Sequence, residues 1–170
     1  MRNPSASKRS RSIMVALYAL TAAAVMTLTL VIQIPVPATG GYLNFGDIAI
    51  FVFALLFGSR VGAFAGGFGS ALADLAGGYG VFAPFTLFIK GAEGFLAGYL
   101  AVKRSVRRDL LAWAAGATAM VLGYFITETL FFGGVPAALV EVPSNLLQVF
   151  SGAVVGIPLA QALRKAIPAK

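Results

Sequence analysis

Lys90 and Glu93 stand three residues apart in an otherwise apolar stretch, and Asn145 and Gln148 repeat that spacing further along. Three residues is close to one helical turn, so each pair shares a helix face. An amine beside a carboxylate can neutralise itself as a buried ion pair, or offer charge and hydrogen bonds to a ligand. Two amides so placed can join neighbouring helices or bind a polar solute. Asp47, Asp74 and Glu128 are isolated carboxylates in similar surroundings. Asp47 can cap a helix start, and Asp74 can satisfy the glycine-rich loop that follows it. Glu128 has no cationic neighbour in sequence; an unpaired buried carboxylate is costly, which makes it the strongest single candidate for ligand contact. Asp109, at the start of an apolar run, reads as a helix cap.

Other chemistries are excluded by residue type. The chain has neither Cys nor His, so a disulfide, a thiolate nucleophile, a zinc cluster and an imidazole base cannot be built. No nucleophile–base pair suited to an enzyme is visible. There is also no G-x-x-x-x-G-K-S/T phosphate loop. ATP-driven work would need another polypeptide, and no cofactor is expected.

These polar residues have to be positioned by elements that suit lipid. Hydrophobic residues form 59% of the 170-residue chain and charged ones 11%, against about 25% charged in soluble domains. The net charge of +7 sits in short basic clusters between apolar runs, which points to membrane topology rather than nucleic-acid binding. A bilayer core of about 30 Å takes about 20 apolar helical residues. Six runs approach that length: 13–34, 42–58, 61–77, 81–102, 110–132 and 142–163. The first exceeds the 7 to 15 residues, roughly, of a signal-peptide core. The second and third are short and interrupted, and also suit a re-entrant pair. Residues 1–12 read as a basic, disordered cytoplasmic tail. Residues 13–170 read as one all-α domain, a polytopic membrane bundle of six transmembrane helices.

Orientation follows from the cations. Arg2, Lys8, Arg9 and Arg11 precede the first run, and Arg60 separates the second from the third. Lys103, Arg104, Arg107 and Arg108 separate the fourth from the fifth, and Arg164, Lys165 and Lys170 follow the sixth. The other three connections carry no Lys or Arg. Basic residues stay in cytoplasmic loops, so six spans in the cell membrane with both termini cytoplasmic satisfy the whole pattern. That orientation gathers the polar residues in the outer half, with Lys90 and Glu93 roughly 14 and 18 Å below the outer end. Five carboxylates then face one lysine, which argues against an anionic ligand unless burial keeps several of them protonated. Gly62 with Gly66, Gly94 with Gly98 and Gly152 with Gly156 form G-x-x-x-G pairs that let helix backbones approach closely. The first outer loop, residues 35–44, is stiffened by prolines and hinged by Gly40 and Gly41. Its composition suits a lid and a plain connector equally.

Further motifs carry a resemblance. Asn44-Phe-Gly-Asp47, Gly66-Gly-Phe-Gly-Ser-Ala-Leu-Ala-Asp74, Ala83-Pro-Phe-Thr86, Ile89-Lys-Gly-Ala-Glu-Gly94 and Pro143-Ser-Asn-Leu-Leu-Gln148 with Gly152 span nearly the whole chain. They resemble the substrate-binding (S) subunits of energy-coupling factor (ECF) vitamin transporters, nearest the branch of riboflavin, hydroxymethylpyrimidine and pyridoxine carriers. The resemblance implies a six-helix S component that captures a small vitamin or precursor beneath the first outer loop. Carried onto this chain, it favours Lys90, Glu93, Glu128, Asn145 and Gln148, with Tyr42 and Asn44 from the loop. It implies docking on a membrane-embedded coupling (T) subunit, served by two ATPases, through small residues of the first helix. Ala19 and Ala23 match that alanine-x-x-x-alanine pattern, with Ala16, Ala22 and Ala24 leaving the register open. The rival class is a self-sufficient proton-coupled transporter or channel using Glu93 or Glu128 as its proton site.

Overall fold

A computed structural model describes residues 4–37, 39–101 and 105–166. Arg2, Lys103, Arg104 and Lys170 of the basic clusters lie outside the described residues. Helix α1 (Pro4–Val31) leads into a short hairpin of β1 (Ile34–Val36) and β2 (Gly41–Leu43). Four helices follow: α2 (Gly46–Phe57), α3 (Ser59–Gly77), α4 (Ala83–Leu100) and α5 (Val106–Phe131). The last rod is α6 (Gly134–Ser151), a π-helical segment (Gly152–Gly156) and α7 (Ile157–Ala166) in unbroken succession.

The elements differ from the sequence reading at three places. The tail expected to be disordered is helical from Pro4. The second span begins at Gly46 rather than residue 42, because residues 41–43 pair with 34–36 in antiparallel register, Pro35 opposite Tyr42. The fold is therefore helical with one small hairpin. The sixth helix starts at Gly134 rather than 142, since the segment before Pro143 is already helical. The π segment has a local cause further down: Pro158 lacks the N–H that Val154's carbonyl would accept, and the Ile157 N–H reaches back five residues to Gly152.

Among the described residues, three helices are long and apolar enough to cross a membrane by length and composition: Arg11–Val31, Val106–Phe131 and Gly134–Ala166. At 1.5 Å per residue α2 is only about 18 Å long. It is apolar nearly all round, and most of its residues are buried, as expected of a helix enclosed by others. Phe51, at its centre, is fully buried and packs with Ala54, Ile89, Ala97, Ala117, Met120 and Val149. Outward-facing Leu20, Val31, Val81, Phe88, Leu130 and Phe131 are all more than 60% exposed. A continuous apolar exterior of that kind belongs against lipid.

Glycine sets how closely the helices meet. A Cβ at Gly62 would collide with the carbonyl oxygen of Gly94, and one at Gly66 with that of Lys90. Added at Gly94 or Gly98, it would strike the backbone of Gly62 or of Gly58 and Ser59. So α3 and α4 run antiparallel in backbone contact, through two of the three G-x-x-x-G pairs. The third pair seats the last rod on α2, with Gly152 against Phe51, while a Cβ added at Gly156 would lie 3.1 Å from the Ile48 carbonyl oxygen. Helix α1 runs parallel to α3: the Tyr18 and Phe64 rings meet at a tilt with centroids 5.0 Å apart, and Gly69 lies against Ala22 and Val25.

At the end of the bundle away from the hairpin, Asp109 is wholly buried. It accepts from Arg164 Nη1 at 2.7 Å and from Gln161 Nε2 at 3.2 Å, while Arg164 Nη2 donates to the Leu55 carbonyl at 2.8 Å. Asp109 is thus not the cap expected from sequence. That role falls to Ser105, whose hydroxyl accepts from the Arg108 N–H; Asp109 ties α5, α7 and α2 together.

The glycine interface generates a contrast within one helix. Gly94→Ala should lower unfolding stability in detergent by about 1–3 kcal/mol through overpacking. Gly91→Ala meets nothing nearer than 3.6 Å and should be neutral, or stabilising by about 0.5–1 kcal/mol through helix propensity. Equal thermal midpoints for the two variants would contradict backbone contact between α3 and α4.

Candidate functional site

The helices bring their polar faces together beneath the hairpin. On α3, Ser70 and Asp74 are four residues apart; on α4, Thr86, Lys90 and Glu93 follow an i, i+4, i+7 pattern. Tyr124 and Glu128 of α5, and Glu141, Asn145 and Gln148 of α6, repeat that spacing. Such spacing keeps side chains on one helix face. The four faces converge on a small cavity with about 30 Å³ of internal space (about 420 Å³ with its open mouth counted), which Thr29, Gly41, Tyr42, Asn44 and Phe82 complete.

The floor is ionic. Lys90 Nζ donates to Asp47 Oδ1 of α2 and lies 3.3 Å from Glu93 Oε2. All three side chains are at most 3% exposed. The ammonium also lies 5.8 Å from the Tyr124 ring centroid. Asp47 occupies the first turn of α2, yet its carboxylate is bound by Lys90 and makes no capping hydrogen bond. The turn is closed instead by Asn44, whose Oδ1 accepts from the Gly46 N–H at 2.9 Å.

The hairpin is fastened over the cavity at two points. Tyr42 donates its hydroxyl to Asp74 Oδ1 at 2.6 Å, and Thr39 donates to Glu141 Oε1. Burial, and then the neighbouring Asp74 carboxylate, hold the Tyr42 phenol far above its usual range, so it stays protonated as a donor. Tyr79 packs on Tyr42 with ring centroids 4.2 Å apart. The Gly78 and Tyr79 N–H groups donate to the Asp74 backbone carbonyl, which leaves the carboxylate for Tyr42. Deeper in the wall, Thr86 and Tyr124 share a hydrogen bond of 3.0 Å, and Gln148 Nε2 donates to Asn145 Oδ1 at 3.2 Å.

Of the residues singled out in sequence, Tyr42, Asn44, Asp74, Lys90, Glu128, Asn145 and Gln148 line this cavity. Asp47 and Glu93 lie behind the wall as partners of Lys90. Asn145 and Gln148 bond each other rather than a neighbouring helix. Sequence reasoning missed Glu141, Thr39, Ser70, Thr86 and Tyr124. Ending the outer loop at Glu141 hid its place four residues before Asn145. The repeated i, i+4, i+7 polar spacing was the available signal for the others, except Thr39. Ala19 and Ala23 lie far from this site on the exposed face of α1, beside Ala16.

Comparison with known proteins adds an independent observation. Residues 10–165 match the family model described as ECF-type riboflavin transporter, S component. A Pyrococcus woesei protein, described as the uncharacterized protein in gap 3′ region, is 44% identical over 145 residues, covering 85% of this chain and 97% of that protein. The thiamine precursor transporter HmpT of Lactococcus lactis subsp. cremoris is 32% identical over 130 residues, covering 76% of this chain and 72% of that protein.

The ionic floor yields a stability test. Lys90→Met strands Asp47 and Glu93 without a counter-charge, and should cost about 3–5 kcal/mol. Adding Asp47→Asn and Glu93→Gln should recover most of that loss, as neutral packing replaces the cluster. Unfolding in detergent checks both, and a triple variant no more stable than the single one contradicts the assignment.

Proposed function

The chain belongs to the family of ECF-type riboflavin transporter S components, and from that premise we propose that it captures a vitamin or vitamin precursor at the outer membrane face for an ATP-driven importer. It is a transport protein and not an enzyme. The observation that carries the reading is the cavity under the hairpin. Its walls draw polar side chains from α3, α4, α5 and α6 into a bundle whose exterior is apolar. Membrane-embedded polar groups gathered around a cavity mark a substrate site.

Six spans with both termini cytoplasmic fit the distribution of charge. Arg60, Arg107, Arg108, Arg164 and Lys165 belong to the bundle end where Asp109 meets Arg164, and the cavity opens at the opposite end. With basic residues held in the cytoplasm, the hairpin faces outward. Substrate-binding roles go to Tyr42, Asn44, Asp74, Glu128, Asn145 and Gln148 at the cavity wall. Asp47, Lys90 and Glu93 form the charged floor that supports them. The hairpin acts as the lid, released when Tyr42 parts from Asp74 and Thr39 from Glu141.

Energy comes from other subunits. The exposed small-residue face of α1, with Ala16, Ala19 and Ala23, suits close approach of a helix from the coupling subunit, which in turn carries two ATPases. The relative named as a thiamine precursor transporter supports a vitamin-precursor cargo.

Two expectations test this reading. Detergent-purified protein should bind a member of the riboflavin, hydroxymethylpyrimidine and pyridoxine set, and should co-purify with a coupling subunit from native membranes. An Ala19→Leu, Ala23→Leu variant should lose the partner while keeping the ligand. Absence of both ligand and partner, or uptake by the chain alone in liposomes driven by a pH gradient, would overturn it. Tyr42→Phe should speed ligand dissociation about tenfold in stopped-flow chase experiments, the worth of one hydrogen bond to a charged group; an unchanged off-rate would remove the hairpin from the gate.

A further inference from the structure

We propose that the lipid-facing side of α5 and α6 carries a site for an anionic phospholipid, its acyl chain lying in the groove between the two helices and its phosphate held by Arg107. The site is separate from the cavity under the hairpin and does not depend on what that cavity binds.

The groove holds about 760 Å³. Trp113, Ala117 and Val121 of α5 wall it on one side, and Pro143, Leu147 and Phe150 of α6 on the other. Its two polar side chains, Trp113 and Thr118, are both engaged within the protein. Trp113 Nε1 donates to the Val149 carbonyl at 2.7 Å, and the Thr118 hydroxyl donates to the Ala114 carbonyl at 2.8 Å. A recess whose side chains keep no free donor or acceptor favours hydrocarbon and penalises a polar solute. It opens toward lipid, since Leu122, Leu146, Leu147 and Phe150 along its rim are each more than half exposed.

Charge and length identify the occupant. Arg107 stands seven residues before Ala114 and eleven before Thr118, both of which line the groove. That spacing puts the three on one face of α5, and Leu110 and Leu111, about half exposed, carry an apolar strip between them. Arg107 is exposed and pairs with no carboxylate among the described residues, whereas Asp109 is turned inward and held by Arg164. From Arg107 to Leu122 the helix rises about 22 Å. One leaflet with its headgroups is about 20–22 Å deep, half of the whole bilayer. A phosphate at Arg107 therefore lays its acyl chain alongside Trp113 and Val121. A zwitterionic lipid offers the same chain, but an anionic headgroup gains more from an unpaired arginine at the membrane surface.

Trp113 is the chain's one tryptophan, so its fluorescence reports on the groove directly. The full chain is reconstituted in phosphatidylcholine vesicles containing a minor fraction of lipid brominated in mid-chain, either phosphatidylglycerol or phosphatidylcholine. Bromine quenches indole on contact, and titrating that fraction gives the relative occupancy of the groove. The anionic lipid should be favoured about fivefold, the worth of one arginine at a membrane surface. Arg107→Gln should bring the ratio down to about one, while Arg60→Gln, at the same end of the bundle but on α3, should leave it within about twofold. Both arginines are exposed, and the quenching ratio in unaltered protein decides the matter if a variant folds poorly. Equal quenching by the two lipids would overturn the proposal, as would a preference that survives Arg107→Gln or is lost equally in Arg60→Gln. Absence of quenching by either lipid would mean that protein covers the groove, a second copy or a partner helix, and would overturn it too. Ligand capture under the hairpin stands or falls separately from each of these outcomes.

Discussion

An ammonium group sealed from water inside a membrane bundle must be neutralised by groups that are equally sealed. Lys90 meets that condition through Asp47 on α2 and Glu93 on its own helix. The cluster fixes more than charge. It joins the short inner helix to α4 and sets the depth of the cavity floor. It also holds the Lys90 side chain beneath Tyr124. Every wall residue above it is placed relative to that floor.

Such a cluster needs helices that approach more closely than ordinary side chains allow. Gly66 supplies this at the critical point, since any side chain there would strike the Lys90 carbonyl. Gly62, Gly94 and Gly98 extend the same contact toward the opposite end. In lipid, where apolar attraction between helices is weak, backbone proximity of this kind provides much of the packing energy. The glycines and the ion cluster are therefore one device: close contact brings Asp47 and Lys90 within reach, and their pairing makes the contact specific.

The two ends of the molecule divide their work. Where Arg164 reaches across Asp109 to the Leu55 carbonyl, charged groups are paired and tie three helices together. Beneath the hairpin, carboxyl and amide oxygens are left without partners. Polar atoms buried and unsatisfied in a membrane protein are costly to keep; Asp109 Oδ1 and Arg164 Nε at the other end are also without partners, but those of Thr29, Asp74, Glu128 and Gln148 line the cavity, where a substrate could complete them. The π segment begins four residues after Gln148 in the sixth rod, and such segments are frequent near functional sites.

Amino-acid order alone determined the local features: helical runs with their apolar exterior, alternating basic and non-basic connections, and paired spacings such as 90/93 and 145/148. These follow from the rise and period of a helix, which any chain segment obeys without its neighbours. Glu128 as an unpartnered carboxylate was legible in the same way. Tertiary structure decided which faces meet. Asp47 and Lys90 are 43 residues apart, and nothing local distinguishes a capping Asp47 from one that binds a lysine on another helix. Only packing turned Asp109 from a cap into a clamp, drew Glu141 into the wall with Thr39, and paired residues 34–36 with 41–43. Contacts across helices depend on rotation about each axis and on the distance between axes, and those are set by the sum of the packing rather than by any one stretch of chain.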